Sequence, residues 1–250
     1  MPKENLKIAT LTIGNFKPVT LTKGLQQINT LDADLFVEID RHLDEIEKAG
    51  GVKVVVFTGI NPQGFYPVFC DGIDLTFLAK LKFLDFGEDM RREVENHRTG
   101  IRVLNRIAKM NQYFVARING HCIGGGLEFA LGCDYLISVP NVLIGFPEGK
   151  YGLLPGWNGL QSLANKIGKD KTLELYFEGF FEQSGKHPFR NGIVKAEEAL
   201  ALGIVDEIVP SLEEMDLRIT EISNEFTNGK RYRRSKPELR AYKMMPEKEI

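Results

Sequence analysis

Strand-like apolar runs alternate along the chain with stretches whose apolar residues recur at helical spacing. Residues 52–57 and 113–118 are nearly continuous apolar runs, typical of strands buried on both faces. Residues 31–49 place apolar side chains three and four positions apart, which predicts a helix that ends at the following glycine pair. Residues 6–13 alternate apolar and polar positions, and this pattern predicts an antiparallel strand.

The same alternation continues through the second half of the chain. Because strands and helices follow each other in turn, the pattern predicts an α/β layer architecture with mostly parallel strands. Helices are predicted over 88–112, 127–131, 158–167, 170–178 and 196–202, and strands over 135–139, 142–146 and 204–209.

Length and composition indicate an ordinary globular protein. The 250 residues suit one α/β core, which we place at 1–210, followed by a helical and locally basic tail at 211–250. The formal net charge of −2 provides no overall attraction to nucleic acid or to an anionic membrane. The sequence shows no signal peptide, no run long enough to span a membrane and no carboxyl-terminal SKL.

The cysteines argue against a metal site or a disulfide framework. Cys70, Cys122 and Cys133 are odd in number, and no two of them have the CxxC spacing. The four histidines form no ligand motif either. We therefore expect no metal and a reducing compartment, the cytoplasm.

A run of three glycines stands between a predicted buried strand and a predicted helix, in ARINGHCIGGGLE at 116–128. One interpretation is close packing of strand against helix, since glycine lets two backbones approach. The other is that a ligand oxygen reaches a backbone N–H at the helix start. The run itself does not separate the two. GxGxxG is absent, GFFEQSGKH has the wrong spacing for a phosphate loop, and no GxSxG nucleophile elbow occurs.

Two further segments could share a site with these glycines. CDGIDL at 70–75 is a second glycine-containing corner, and two such corners can each donate an N–H to one oxyanion. Glu128 follows the glycines, and Glu148 follows Pro147 at a predicted strand end. Taken singly, each glutamate is better explained as a first-turn or surface acid. Beside two oxyanion-type corners, however, they form a candidate acid/base pair.

Several segments, in order, resemble the crotonase superfamily of enoyl-CoA hydratases and isomerases. INGHCIGGGLEFALGCDYLIS is similar to its NG-x3-GGG-x-E segment, and FPEGKYGLLPG to its PE-x3-G-x-xPG segment. CDGIDL resembles its AGADL segment, and QQINTL and AEEALALGIVDEIVP are also family-like. The resemblance covers about residues 6–210. It implies a spiral of ββα turns with a C-terminal helical region, assembled as a homotrimer or as a hexamer of two trimers.

The resemblance also implies a site. The oxyanion hole would be the N–H groups of Ile73 and Gly125, and Glu128 and Glu148 would be the catalytic carboxylates. Coenzyme A would lie along residues 26–28 and 73–75. The residues expected to contact substrate or coenzyme A are Gln26, Gln27, Ile28, Gly72, Asp74, Leu75, Gly124, Pro147 and Trp157.

Retention of both glutamates favours hydration of a trans-2-enoyl-CoA, an acyl-CoA thioester substrate. Coenzyme A is then part of the substrate, and no other cofactor is needed. The alternatives are an enoyl-CoA isomerase and other crotonase reactions, such as hydrolysis, dehalogenation or decarboxylation, and a carrier-protein thioester could replace coenzyme A. An RNA-binding or interaction protein without activity is the alternative outside enzymes, and the glutamate pair argues against it.

Three features depart from the family pattern. Trp157 and Asn158 replace small residues, and for Trp157 a core or interface aromatic is favoured over a residue that shapes the substrate site. FFEQSGKHPFRNG at 180–192 is an unusual insert, interpreted as a surface or interface loop. KRYRRSKPELRAYK at 230–243 carries seven basic residues and one acid. A solvated end is favoured there over contact with coenzyme A phosphates or with RNA.

Overall fold

Successive turns of a spiral build the protein. The structure, a computed structural model, describes residues 7–13, 16–20, 26–61, 67–73, 88–181, 192–234 and 236. The strands are β1 (Lys7–Thr12), β2 (Phe16–Thr20), β3 (Gln26–Asn29), β4 (Val52–Thr58), β5 (Val68–Cys70), β6 (Tyr113–Ile118), β7 (His121–Ile123), β8 (Tyr135–Ser138), β9 (Leu143–Gly145), β10 (Ile193–Lys195) and β11 (Glu207–Ile208).

Helices follow the strands at regular intervals. A short 3₁₀ helix, Pro147–Tyr151, lies between β9 and the fourth α-helix. No helix in the described ranges is both long and apolar enough to cross a membrane. The α-helices are α1 (Ala33–Ala49), α2 (Glu88–Lys109), α3 (Gly125–Leu131), α4 (Gly159–Ile167), α5 (Lys169–Phe181), α6 (Ala196–Leu202) and α7 (Leu212–Thr227).

Strands that alternate along the chain form two separate sheets. The larger has the order β1-β4-β6-β8-β11 and is parallel throughout, and the smaller has the order β10-β9-β7-β5. Each turn adds one strand to the larger sheet, the next strand to the smaller sheet, and then a helix. This is the ββα spiral that the sequence predicted, and β2 and β3 form a separate antiparallel pair.

Local sequence explains where α1 begins and ends. The Asp32 side chain accepts a hydrogen bond from the Leu35 N–H at 2.9 Å, which caps the first turn. Gly50 follows the last turn with φ of 59°, a conformation that glycine adopts without steric cost. The predicted end at the glycine pair is therefore confirmed.

The prediction of an antiparallel strand at 6–13 was wrong. The strand β1 exists, but it pairs with β4 in parallel. Alternation of apolar and polar residues reports unequal burial of the two faces of a strand, not the direction of its neighbour. At the edge of the larger sheet, β1 has half-buried Ile8 and Leu11 and exposed Thr10 and Thr12.

Several other element boundaries differ from the sequence prediction, and two of the differences have a local cause. The helix predicted at 127–131 begins at Gly125, because the second and third glycines of the run adopt helical backbone. The strand predicted at 204–209 is confined to β11. The N–H groups of Ile204 and Val205 instead bond to the Ala199 carbonyl at the end of α6, which prevents earlier pairing with β8.

The described part of the basic tail packs against the core. Arg233 and Lys236 contact the Asp134 carboxylate at 3.0 Å each, and Arg234 pairs with Asp206. Asp134 is fully buried and also accepts the Phe114 N–H at 2.9 Å. The interpretation of a solvated end is therefore wrong for Arg233 and Lys236, which the buried Asp134 holds, whereas Tyr232 and Arg234 are exposed. Residue 235 and residues 237–250 lie outside the described residues, as do 182–191 of the insert.

Replacing Asp134 with Asn should lower the free energy of unfolding by about 3 to 5 kcal/mol, because two cations would lose a buried counter-ion. Urea denaturation measures the loss. The matched control is Asp216→Asn, since Asp216 pairs with Arg117 but is 64% exposed, and its loss should stay below about 1 kcal/mol. Equal effects of the two substitutions would contradict the assignment of the tail contact as a structural anchor.

Candidate active site

The glycine run joins β7 to α3, and its members serve different purposes. A β-carbon at Gly126 would lie 2.4 Å from the Cys70 carbonyl oxygen, so this glycine allows close packing of strand and helix. Gly124 has φ of 55°, where L side chains are strained. Gly125 is the first residue of α3, and its N–H has no acceptor within the helix. Close packing, the first interpretation of the sequence, is therefore confirmed at Gly126, whereas a ligand oxygen at the Gly125 N–H stays a prediction.

The second corner lies directly against the first. The strands β5 and β7 are parallel neighbours, so the residues after them meet at one edge of the smaller sheet. A β-carbon at Gly72 would lie 3.0 Å from the Gly125 nitrogen. Ile73 follows Gly72 and forms a bridge to Leu31, whose N–H bonds to the Gly72 carbonyl at 2.8 Å. The fold therefore brings the backbone at Ile73 and at Gly125 to the same corner.

Glu128 lies inside the protein, one turn into α3. It is 4% exposed. Its carboxylate oxygen Oε1 accepts the N–H of Trp157 at 2.6 Å and that of Gly159 at 2.8 Å. The Gly156 N–H adds a further hydrogen bond. The loop before α4 therefore fixes this carboxylate, although it lies about thirty residues further along the chain.

Glu148 comes from the other side of the glycine run. Pro147 begins the 3₁₀ helix that carries it, immediately after β9. Its Oε1 atom would lie 2.7 Å from a β-carbon at Gly124, so the side chain reaches over the glycine run. Its Oε2 atom is buried and has no hydrogen-bond partner in the described part of the chain. The position after a strand end thus directs this carboxylate over the glycine run.

Burial changes the acidity of both carboxyls. Loss of hydration disfavours the charged form and, together with the negative charge of Glu148, raises the pKa of Glu128 to about 8. The three backbone N–H donors oppose this shift without cancelling it. Burial also raises the pKa of Glu148 to about 7. Near neutral pH the pair can therefore both hold and accept a proton, which is the requirement for acid/base chemistry.

Trp157 links the glutamate to the glycine corner. Its indole is 3% exposed and meets Phe36 edge-on, with ring centroids 5.0 Å apart. A β-carbon at Gly125 would lie 2.6 Å from this ring, so the indole also covers the start of α3. The side chain is thus a core aromatic within one subunit, and it borders the corner as well. Its backbone contact with Glu128 was not foreseen, because no sequence pattern reports a backbone donor.

Other residues predicted for the site are placed only in part. The backbone of residues 26–28 lies in β3, which continues from the hairpin toward β5. Asp74 and Leu75 lie outside the described residues. His97 on α2 was not predicted, and its Nδ1 atom would lie 3.4 Å from a β-carbon at Gly156 in the loop before α4.

A cavity of about 270 Å³ adjoins Glu128 on the side of α4 and the tail. Leu104, Leu131 and Cys133 form part of its apolar wall. Lys166 and Arg234 line it as well, and both pair with Asp206. Burial lowers the pKa of Lys166 to about 8. The cations of the tail region are thus engaged by carboxylates of the same chain.

Comparisons with known proteins identify the family. A sequence model of the enoyl-CoA hydratase/isomerase family matches residues 19–234. A short-chain-enoyl-CoA hydratase of Clostridium acetobutylicum is 28% identical over 226 residues, which cover 89% of this chain and 73% of that protein.

Solved structures show the same fold. An enoyl-CoA hydratase of Bacillus anthracis superposes with a TM-score of 0.68 at 24% identity, covering 88% of this chain and 72% of that one. An enoyl-CoA hydratase of Bacillus halodurans gives a TM-score of 0.65 at 23% identity, covering 80% and 72%. With the spiral fold, the glycine corner and both glutamates in place, the chain belongs to the enoyl-CoA hydratase/isomerase family, the crotonase superfamily.

Proposed function

We propose that this enzyme is an enoyl-CoA hydratase, which adds water across the C2=C3 bond of a trans-2-enoyl-CoA. The observation that carries the proposal is the pair of buried carboxyls, Glu128 and Glu148, on either side of the glycine corner. Water addition needs one group that removes a proton and one that supplies a proton. Two glutamates with raised pKa values meet that requirement without a metal or a redox cofactor.

The thioester oxygen would lie between the N–H groups of Ile73 and Gly125. As the water oxygen bonds to C3, the C2=C3 electron pair moves toward the thioester carbonyl and an enolate forms. Donors fixed in advance at that oxygen stabilise the developing charge, and each contributes about 3 to 4 kcal/mol to lowering the barrier. The Gly125 donor also benefits from the positive end of the helix dipole.

The glutamates would divide the proton transfers. In the reactive form Glu128 is ionised and takes the proton from the attacking water, while protonated Glu148 delivers a proton to C2 as the carbonyl re-forms. Because the pKa of Glu128 (about 8) lies above that of Glu148 (about 7), this form is the minor one of the singly protonated pair, and the proton must move from Glu128 to Glu148 before each addition. The Trp157 and Gly159 N–H groups hold the Glu128 carboxylate in one orientation, so little reorganisation is needed during the step. One proton leaves the water and one proton reaches C2, so the net charge of the glutamate pair does not change. Exchange of protons then returns each glutamate to its starting form.

Further parts of the proposal concern binding and assembly. Coenzyme A, carried by the substrate, would run along residues 26–28 and 73–75, near Gly124 and Pro147.

The enzyme would assemble as a homotrimer or hexamer in the cytoplasm. Tyr151, Leu154 and Phe177 are exposed apolar side chains around the 3₁₀ helix and α5, which supports burial of that surface between subunits. The three cysteines are free and buried, in agreement with a reducing compartment.

Replacing Glu128 or Glu148 with Gln should lower kcat for crotonyl-CoA hydration at least about 100-fold, because each amide keeps the shape but cannot exchange the proton. Loss of the enoyl-thioester absorbance measures the rate. The control is Glu213→Gln, an exposed glutamate on α7 that should leave the rate unchanged. A 3-enoyl-CoA substrate separates the alternatives, since its conversion without hydration of crotonyl-CoA would indicate an isomerase.

Replacing Gly72 with Ala should reduce kcat about 100-fold, because the new methyl group would lie 3.0 Å from the Gly125 nitrogen and obstruct that donor. Gly229→Ala is the matched control. Both glycines have positive φ, 84° and 69°, but a β-carbon at Gly229 meets no atom within 4 Å. Both variants should lose stability through strain at positive φ, measured by thermal denaturation, and Gly72→Ala somewhat more through its close contacts, while only Gly72→Ala loses activity. Full activity of Gly72→Ala would remove this corner from the mechanism.

The pH dependence of kcat/KM should be bell-shaped, with its maximum between about 7 and about 8. Burial raises both carboxyl pKa values, so the protons are retained to higher pH than in water. Below the window both carboxyls are neutral and no base is present. Above it both are ionised and no group supplies the proton to C2. A rate that stays constant from about pH 5 to about pH 9 would contradict the paired mechanism.

A further inference from the structure

The indole of Trp157 fills a narrow slot between three helices. One edge of the ring lies against α2, where a β-carbon at Gly100 would lie 2.5 Å from Nε1 and 2.7 Å from Cε2. The opposite edge lies against α3, where a β-carbon at Gly125 would lie 2.6 Å from Cζ3. Phe36 of α1 meets the ring edge-on, with ring centroids 5.0 Å apart. The slot therefore requires glycine at both flanking helix positions.

Gly100 has a packing reason to be where it is. It lies in the interior of α2, and glycine inside a helix is destabilising relative to alanine. An alanine at this position would overlap the indole of Trp157. The position that weakens the helix is thus the position that accommodates the ring.

The residue that carries this indole also donates a hydrogen bond to Glu128 through its backbone. The Trp157 N–H donates to Glu128 Oε1 at 2.6 Å, and the Gly159 N–H donates to the same oxygen at 2.8 Å. Asn158 lies between the two donors and has φ of 61°, a left-handed conformation that is strained for a residue with a β-carbon. Such a residue can turn its neighbours' N–H groups toward one anion, but the strain persists only where packing holds it.

The indole supplies packing for this turn. Trp157 is 3% exposed, whereas Gly156 and Asn158 on either side of it are half-buried. Its Nε1 atom has no hydrogen-bond partner in the described part of the chain, so the fit of the ring, not a hydrogen bond of its own, fixes it. One ring thus connects the start of α3 with the loop that binds Glu128.

We propose that the Trp157 side chain is a positioning residue for hydration, which fixes the Glu128 carboxylate and the Gly125 donor relative to each other. This role rests on the proposed hydratase function, in which Gly125 holds the thioester oxygen and Glu128 removes the proton of the water. The indole itself transfers no proton. It acts through the loop on one side and through the start of α3 on the other.

Loosening the indole should change the acidity of Glu128 in one direction. Hydrogen bonds donated to a carboxylate favour its ionised form, so the N–H groups of the loop hold the pKa of Glu128 below the value set by burial and by Glu148. Weaker hydrogen bonds therefore raise this pKa above about 8. The substitutions below leave the other titratable groups around the carboxyl and the loop unaltered, namely Glu148, Lys166, Asp206, Arg234, Lys236 and His97.

Replacing Trp157 with Leu should raise the pKa of Glu128 by at least about half a pH unit, because the loop loses its anchor. Infrared difference spectroscopy of the protonated carboxyl band measures this pKa without substrate, and loss of the band in Glu128→Gln assigns it. The control is Tyr113→Leu. Tyr113 is 2% exposed and packs on Phe226 of α7, so its loss should reduce stability and leave the pKa unchanged. An unchanged or lowered pKa in Trp157→Leu would overturn the proposal.

Gly100→Ala tests the same fit with every residue of the loop and the site intact. The new methyl group would overlap the indole and displace it, although alanine by itself favours the helix. This variant should therefore also raise the pKa of Glu128. If Gly100→Ala folds with the wild-type pKa, the slot does not control the carboxylate and the proposal fails.

Activity separates the positioning role from the hydratase function. Both variants should lower kcat/KM for crotonyl-CoA at least about fivefold and move the alkaline limb of the pH profile to higher pH, because less of Glu128 is in the ionised form. Tyr113→Leu should keep the wild-type profile. A lower rate with an unshifted profile would leave Trp157 only a structural role. Wild-type protein that does not hydrate crotonyl-CoA would instead count against the hydratase function, and the infrared measurement would still decide whether the indole controls Glu128.

Discussion

The structure depends on two carboxyl groups buried side by side. Removing Glu128 and Glu148 from water is unfavourable unless each is neutral or has fixed partners. The chain meets this constraint by surrounding Glu128 with backbone N–H groups of the loop before α4. The same burial that makes the arrangement costly raises both pKa values toward neutrality, so the cost and the chemistry have one physical origin.

The spiral topology makes this arrangement attainable. Parallel pairing of β5, β7 and β9 in the smaller sheet places the residues after each strand at a common edge. Gly72, Gly125 and Glu148 each follow one of these strands and therefore converge. Glycine is needed at this edge because the backbones and the Glu148 carboxylate approach more closely than a β-carbon permits.

Residues 233, 234 and 236 of the tail pack beside the same region, next to the cavity that adjoins Glu128. Asp134 and Asp206 lie near the ends of β8 and α6 and hold the arginines and lysine of residues 233–236. Arg234 and Lys236 of this segment line the cavity that adjoins Glu128. The described basic residues there are balanced by carboxylates, and this argues against an RNA-binding role for them.

The sequence by itself predicted most of the elements and the candidate reacting groups. Continuous apolar runs specify buried strands, and Gly50 and Gly203 mark helix ends, because period and backbone freedom are local properties. The ordered motifs also identified the two glutamates and the two glycine corners. Tertiary structure decided the rest. The direction of β1, the N–H donors of Trp157 and Gly159 and the anchoring of the tail all arise from contacts between segments distant along the chain. No local pattern encodes which backbone group will face which side chain.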